Sequence, residues 1–466
     1  MLDSSAFTYA FGDQGQLVYF SLNGQRLLFD GARGKLYRNL PEDLEDALDA
    51  MRLNETADRP GDNRWLARIA AWTHDQDALA AKVYVPEDEH VAAAFYVIYP
   101  TSACNLACGY CFNDQGTYGG DAKLMSMDTA RKTLEFLKDS WRGSERHEVQ
   151  VTLLGGEPLL NREVSEFLCR ELLSLNDAAG YPAVNVTIDT NGTPLIDSPL
   201  LPLLARYGEQ VLIEISIDGG QERHDRQRPL TSGKGSHAKV LEALRQVRAH
   251  NIPVRVVGVA PPPYQMVEMA EELIELGITD FYLNQMEAHQ FGTGVQQDRH
   301  FHEWAEGYRR YAEWSAREKA RGRDFTNDMD RNRARMLSIL REPISAYSCR
   351  AGRSLLGISA HGEISPCDRF FHQKDYHVGD VEQGIQKIAL HDFRGQIKQF
   401  GLPILNDDTC SRCYARWRCK GGCYARQTDR DGQIGEIDRK ECRYIRHKFL
   451  VDLWYTAQDV PEVERG

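Results

Sequence analysis

The chain has 466 residues, 42% of them apolar, and a formal net charge of −12. That is an ordinary composition for a folded protein of about three domains at ~150 residues each. No run of Lys and Arg forms a phosphate-binding stripe, so no nucleic-acid partner is expected. The longest apolar run, residues 91–99, is about half of a membrane span, and Met1-Leu2-Asp3-Ser4 lacks the basic and apolar regions of a secretory signal, so neither membrane insertion nor export is expected.

Three regions follow one another. Residues 1–89 read as a small α+β module. Its strands are residues 7–11, 16–22 and 26–30, punctuated by Asn23-Gly24. Residues 31–38 form a connection, and helices are expected over 41–53 and 65–82. Residues 90–325 alternate strand and helix. The strands are 91–99, 148–154, 184–189, 211–217, 254–260 and 280–285, and Ser126 caps the first intervening helix, 127–137. Such alternation predicts an α/β fold with a parallel sheet curved into a partial (β/α)6 TIM barrel. Helices over 304–322 and 331–341 lead into residues 326–466, an irregular cysteine-rich region closed by a charged amphipathic stretch, 444–454.

A cytoplasmic location keeps thiols reduced, so eleven cysteines read as metal ligands rather than disulfides. Ten lie in two groups, 104–111 and 349–442. Cys169 stands apart on the apolar face of a helix, where a thiol acts as a small hydrophobe. A [4Fe–4S] cluster ordinarily takes four thiolates. Cys104, Cys108 and Cys111 supply three, leaving one iron open to chelate the methionine end of S-adenosylmethionine (SAM), whose reductive cleavage yields a 5′-deoxyadenosyl radical. A partial zinc site is the alternative. The loop follows the first barrel strand, on the rim where such barrels carry their chemistry. The next loops are Gly155-Gly156-Glu157-Pro158, Thr190-Asn191-Gly192, Ser216-Ile217-Asp218-Gly219, Pro261-Pro262-Pro263 and Asn284-Gln285-Met286-Glu287. On one rim they compose one SAM site.

In these features residues 90–290 resemble the radical SAM superfamily. The resemblance implies that Gly155, Gly156 and Glu157 bind the SAM amino group. It implies that Thr190, Asn191, Ser216 and Asp218 serve the ribose and carboxylate, with His224, Asp225 and Arg228 behind them. It places Tyr110 beside adenine. A surface ion pair is the alternative for His224, Asp225 and Arg228.

Cys349, Gly362, Cys367, then Cys410-x2-Cys413-x5-Cys419-x3-Cys423 and Cys442 resemble the seven-cysteine pattern of the SPASM domain. That resemblance implies two auxiliary [4Fe–4S] clusters, three in all. Cys410, Cys413, Cys419 and Cys442 hold one with full ligation. Cys349, Cys367 and Cys423 hold the other, one protein thiolate short. A zinc site of Cys410, Cys413, Cys419 and Cys423 is the alternative. Asp368, directly after Cys367, matches the proposed base of sulfatase maturases; pairing with Arg369 or capping a turn is the other reading.

Leu27-Leu28-Phe29-Asp30 with Gly34-Lys35-Leu36-Tyr37 resembles a PqqD-like RiPP recognition element, which captures a leader peptide by strand addition. Phe112-Asn113-Asp114-Gln115-Gly116-Thr117-Tyr118-Gly119-Gly120 resembles thioether-forming maturases of the SCIFF and QhpD type. The expected function is therefore modification of a peptide or protein substrate, with a thioether as the cross-link and a flavodoxin- or ferredoxin-type electron donor. Formylglycine formation, carbon–carbon cross-linking and a non-enzymatic iron–sulfur carrier are the alternatives.

Overall fold

The computed structural model describes residues 93–111, 122–285, 295–341 and 344–400, most of 402–458, and before residue 93 five strands with Leu40 and Leu48. Those strands are β1 (Phe7–Phe11), β2 (Leu17–Leu22), β3 (Gln25–Asp30), β4 (Lys35–Arg38) and β5 (Val83–Tyr84). The first four form an antiparallel sheet in sequential order. Residues 35–38, expected as connection, pair as a strand from Leu27↔Arg38 to Asp30↔Lys35. The helices expected over 41–53 and 65–82 lie outside the described residues, apart from a helical Leu48.

The core is one sheet of parallel strands: β6 (Phe95–Thr101), β7 (Glu148–Gly155), β8 (Ala183–Thr190), β9 (Val211–Ser216), β10 (Val254–Ala260) and β11 (Phe281–Gln285). Along β7, β8 and β9 burial alternates residue by residue. On β7, Val149, Val151 and Leu153 are buried under helices while Gln150, Thr152 and Leu154 face the concave side half-buried. On β8 and β9 the concave side carries Thr187, Asp189, Glu214 and Ser216. Helix α1 (Met127–Trp141) starts where Ser126 Oγ accepts from the Thr129 N–H at 3.0 Å, and it buries Ala130, Leu134, Leu137 and Trp141 at helical spacing. Cys169 is wholly buried on α2 (Arg162–Ser174).

The sheet does not stop at β6. Strand β13 (Leu355–Ile358) pairs parallel to β6, from Leu355↔Phe95 to Ile358↔Ile98. Antiparallel β14 (Glu363–Ser365), β15 (Gly379–Asp380) and β16 (Gly384–Ile385) continue it, giving ten strands. The cysteine-rich region is thus a direct extension of the core sheet. Strand β12 (Ile344–Ser345), just ahead of it, pairs with β5.

Two helices, α3 (Val295–Ala320) and α4 (Asp328–Arg341), pack against a last one, α5 (Cys442–Ala457), which also touches β2 and β4. The stretch expected to be charged and amphipathic is instead buried continuously from Phe449 to Ala457. Its charges turn inward: Asp452 is fully buried, accepts from Tyr308 Oη at 2.6 Å, and meets Lys448 Nζ at 3.3 Å and Arg418 Nη2 at 3.6 Å. Among the described residues no helix is long and apolar enough to cross a membrane.

The first sheet meets this helix through Phe29 and Phe449, edge to face with centroids 5.3 Å apart and both fully buried. Phe449→Ala therefore removes a ring between two regions and should cost about 3–5 kcal/mol, read as a lower denaturant midpoint.

Candidate functional site

The Cys104–Cys111 loop leaves the end of β6 and is fastened by its backbone. Leu106 and Leu230 form an antiparallel bridge, Ala107 N–H donates to Pro229 C=O at 2.8 Å, and Thr231 N–H donates to Asn105 C=O at 3.0 Å. That zipper carries Arg228 to the loop. Tyr110 Oη donates to Asp218 Oδ2 in a short hydrogen bond, and Arg228 Nε lies 3.1 Å from the same oxygen, its guanidinium 5.3 Å from the Tyr110 ring centre. Asp218 Oδ1 accepts from Val259 N–H at 2.9 Å. Asp218 is fully buried and its carboxylate is engaged entirely within the protein. His224 is buried too, accepting from Asp218 N–H at 3.2 Å and facing Ser236 Oγ at 2.9 Å, which donates to Arg228 C=O at 2.6 Å. Burial pulls His224 down to about 4, so it is neutral. His224 and Arg228 are thus parts of an interior network, not of a surface ion pair.

Glu157 has a similar interior role. It is fully buried; Oε1 accepts from Thr190 Oγ1 at 2.7 Å and Leu159 N–H at 3.1 Å, and Oε2 from Asn191 N–H at 2.7 Å. It fastens the β7 loop to the β8 loop. Gly155, at φ +148°, could carry no side chain because a Cβ would collide with the Thr101 carbonyl oxygen. The close approach it allows is between two strand ends. Asn191 Nδ2 then reaches Asn105 Oδ1 at 2.8 Å and comes 4.0 Å from Cys104 Sγ. Ser216 and Gly156 remain partly exposed at the rim.

The ten clustered cysteines sort into three neighbourhoods. Burial first, then Glu157 and after it Cys108 and Cys111 nearby, push Cys104 up to about 11. Cys349 and Cys423 lie within electrostatic reach of each other, and Cys367, which burial and then Asp368 hold well above its usual value, lies within reach of both. Cys410, Cys413, Cys419 and Cys442 line one cavity. Cys423 is therefore not with Cys419, as the zinc reading required. Lys420, Gly421 and Gly422 are all left-handed, at φ 52°, 100° and 92°, and turn the chain between the two. The donor sets fit iron–sulfur clusters, since thiolates are their usual ligands. Among the described residues no three His, Cys, Asp or Glu converge tightly enough for a single metal ion.

Asp368 is half-buried just after Cys367, and Tyr99 Oη on β6 points to its Oδ2 at 3.5 Å. Burial raises its pKa. Across the concave face stands Asp189, raised to about 7 by burial, then by Glu214 and Glu157, with Asp368 also within electrostatic reach. Asp189 and Tyr99 were not singled out from the sequence. The period-two alternation of β8 would have found Asp189.

Burial raises Glu157 to about 7 from 4.5. A folded-state pKa above the unfolded one gives stability that is full below the unfolded value and is lost as pH rises through the folded one. Ligand-free protein should lose stability between about pH 4.5 and 7, and Glu157→Gln should flatten that loss by about 3 kcal/mol at most, measured by denaturation across pH.

Residues 98–284 match the family model described as the radical SAM superfamily, and residues 349–414 match that of the SPASM iron–sulfur cluster-binding domain. The chain is 24% identical over 375 residues to a serine-type anaerobic sulfatase-maturating enzyme of Klebsiella aerogenes, covering 77% of this chain and 85% of that protein. The solved structure of native anSMEcpe with bound AdoMet shares the fold with a TM-score of 0.61 at 16% identity, covering 78% of this chain and 99% of that one. Streptococcus suis SuiB bound to precursor peptide SuiA gives 0.52 at 15% identity, covering 93% and 99%. SAM and iron–sulfur binding accompany these matches. The chain thus carries a radical SAM domain over residues 98–284 and a SPASM domain over residues 349–414, the pairing of a radical SAM enzyme, and the SPASM domain is joined to the core sheet through β13.

Proposed function

We propose that the chain is a peptide maturase that forms a thioether in a leader-bearing substrate. The observation that carries this is the position of Asp368. It sits beside Cys367 of the three-cysteine group, yet meets Tyr99 of the strand that ends in the Cys104 loop. The Cys104 loop and the three-cysteine group are therefore brought close together at the end of one sheet.

In this reading Cys104, Cys108 and Cys111 hold the radical cluster. When bound, the cluster and SAM supply the 5′-deoxyadenosyl radical that removes a substrate hydrogen atom. Thr190, Asn191, Gly156 and Ser216 line the SAM rim, and Arg228, poised by Asp218 over Tyr110, offers the carboxylate its cation. Glu157 orders this rim from behind. Cys349, Cys367 and Cys423 hold the first auxiliary cluster, and Cys410, Cys413, Cys419 and Cys442 the second. A substrate thiolate supplies the ligand the first lacks. Asp368 takes the proton released as the S–C bond forms. Burial raises its pKa, which makes this carboxylate a stronger base than an exposed aspartate. Residues 1–89 receive the leader as an added strand beside β1 or β4, the outer strands of their sheet among the described residues. The donor is a flavodoxin- or ferredoxin-type protein, and the compartment is the reducing cytoplasm.

Formylglycine formation is the second reading, favoured by the same Asp368 and by the name of the Klebsiella relative. The gene's neighbourhood is searched for a short cysteine-rich open reading frame, and reconstituted enzyme is incubated with the peptide it encodes or with a sulfatase active-site peptide. Thioether formation gives loss of two hydrogens and a cysteine that no longer alkylates. An aldehyde trapped by a hydrazide on the sulfatase peptide alone overturns it in favour of the second reading. An electron carrier releases no 5′-deoxyadenosine.

Asp368→Asn should still release 5′-deoxyadenosine but form product about 10²–10⁴-fold more slowly. Equal loss of both activities contradicts the base assignment.

A further inference from the structure

The concave face carries a row of charges set by the strand register. Asp189 on β8 lies beside Glu214 on β9, and Glu214 beside Arg255 on β10. Arg255 in turn meets Asp280, the residue before β11. The row slants from the last residue but one of β8 down to the entrance of β11. Most of its charges cancel. Arg255 Nη1 lies 2.9 Å from Glu214 Oε1, its Nε lies 3.4 Å from Asp280 Oδ1, and Arg331 Nη2 pairs with the same Asp280 oxygen. Glu214 and Asp280 are thus two acids against two bases, Arg255 and Arg331. Asp189 is left over. It is only partly exposed, yet among the described residues its carboxylate has no hydrogen bond and no ion pair. Arg228 lies within electrostatic reach, but Asp218 already holds it at 3.1 Å. Like charges side by side on neighbouring strands are unfavourable. Burial first, then Glu214, raises Asp189 to about 7, so the ligand-free chain blunts the excess charge with a proton.

We propose that Asp189 is a specificity-determining residue that receives a cationic side chain of the peptide, a lysine or arginine near the residue that is modified. The proposal rests on the peptide-maturase reading, whichever product forms, and adds to it a residue class that the substrate must present. Position supports it. Asp189 directly precedes Thr190 and Asn191, and Asn191 reaches the Cys104 loop through Asn105 at 2.8 Å. A cation held by Asp189 therefore lies beside the SAM rim. An ammonium or guanidinium there brings the row to three acids and three bases and relieves the repulsion between Asp189 and Glu214. Among the described residues no three His, Cys, Asp or Glu gather for a metal ion, so an organic cation suits this carboxylate. A neutral side chain leaves the extra charge uncancelled, and an anionic one adds to it. Away from bulk water such a mismatch weighs more than on the surface, so Asp189 both attracts the right residue and rejects the wrong one.

The test uses reconstituted holoenzyme and the peptide that the maturase assay shows to be modified. Each Lys and Arg of that peptide is replaced in turn by Gln, and kcat/KM for product is measured with the native enzyme and with Asp189→Asn. The expected result is one basic position whose replacement lowers kcat/KM by at least about tenfold with the native enzyme. With Asp189→Asn the same replacement should change it by less than about twofold, because the partner charge is gone. Asp189→Glu, which keeps the charge, should keep the preference, and Asp189→Lys should favour the peptide with Glu at that position. Each comparison sets two peptides against one enzyme, so a general loss of folding or of SAM cleavage in a variant cancels. Where a variant turns over too slowly, the same cycle is read as peptide dissociation constants. A peptide without Lys or Arg that is modified as fast as its parent overturns the proposal. So do Gln replacements that weaken the native enzyme and Asp189→Asn equally. Absence of product from every peptide instead overturns the maturase reading, and with it this one.

Discussion

Strand β6 is hydrogen-bonded on both sides by parallel neighbours, β7 from the barrel and β13 from the cysteine-rich region. Parallel pairing aligns strand ends, so whatever follows β6 and whatever flanks β13 must emerge near one another. The Cys104 loop follows β6. Cys349 precedes β13, and Cys367 follows its partner β14. No separate domain interface has to position the two chemistries, because one sheet does so. Tyr99 and Asp368 meet across that seam.

Two carboxylates at the rim are buried and saturated with donors, an arrangement that is unfavourable for a lone charge and tolerable only with full satisfaction. Glu157 fastens the β7 and β8 loops, and Asp218 fastens the β9 loop to Tyr110 in the cluster loop. Their partners are themselves rim residues. The rim is therefore ordered before any ligand arrives, which lowers the entropic cost of binding. Arg228 is held from both ends, by Asp218 and by the Leu106–Leu230 bridge.

The alternation of strands and helices was legible because every core strand has one apolar face and one mixed face, the pattern that period-two reading detects. The grouping of cysteines into three, four and three was legible only through family resemblance. Spacing alone equally allowed Cys423 beside Cys419. What separates them is the left-handed run at Lys420, Gly421 and Gly422, and a lysine gives no local signal for positive φ. The roles of Glu157 and Asp218 were not legible either. A carboxylate after a glycine pair looks the same whether it faces a ligand or the protein interior, and only the fold supplies Thr190, Asn191 and Tyr110 as its donors. The final helix misled for a related reason: Lys448 and Asp452 look like solvent-facing charges, but Tyr308 and Arg418 receive them inside.

That helix joins three things. It begins with Cys442, it closes over the N-terminal sheet through Phe449 against Phe29, and it carries Asp452, to which Arg418 beside Cys419 is tied. It also lies later in the chain than every other element it touches. During vectorial synthesis, which releases earlier segments first, the first sheet emerges hundreds of residues before its cover. The four-cysteine cavity likewise waits for its last wall. Completion of the four-cysteine cavity and closure over the first sheet are thus coupled in time, and a nascent chain stalled before Cys442 leaves both unfinished.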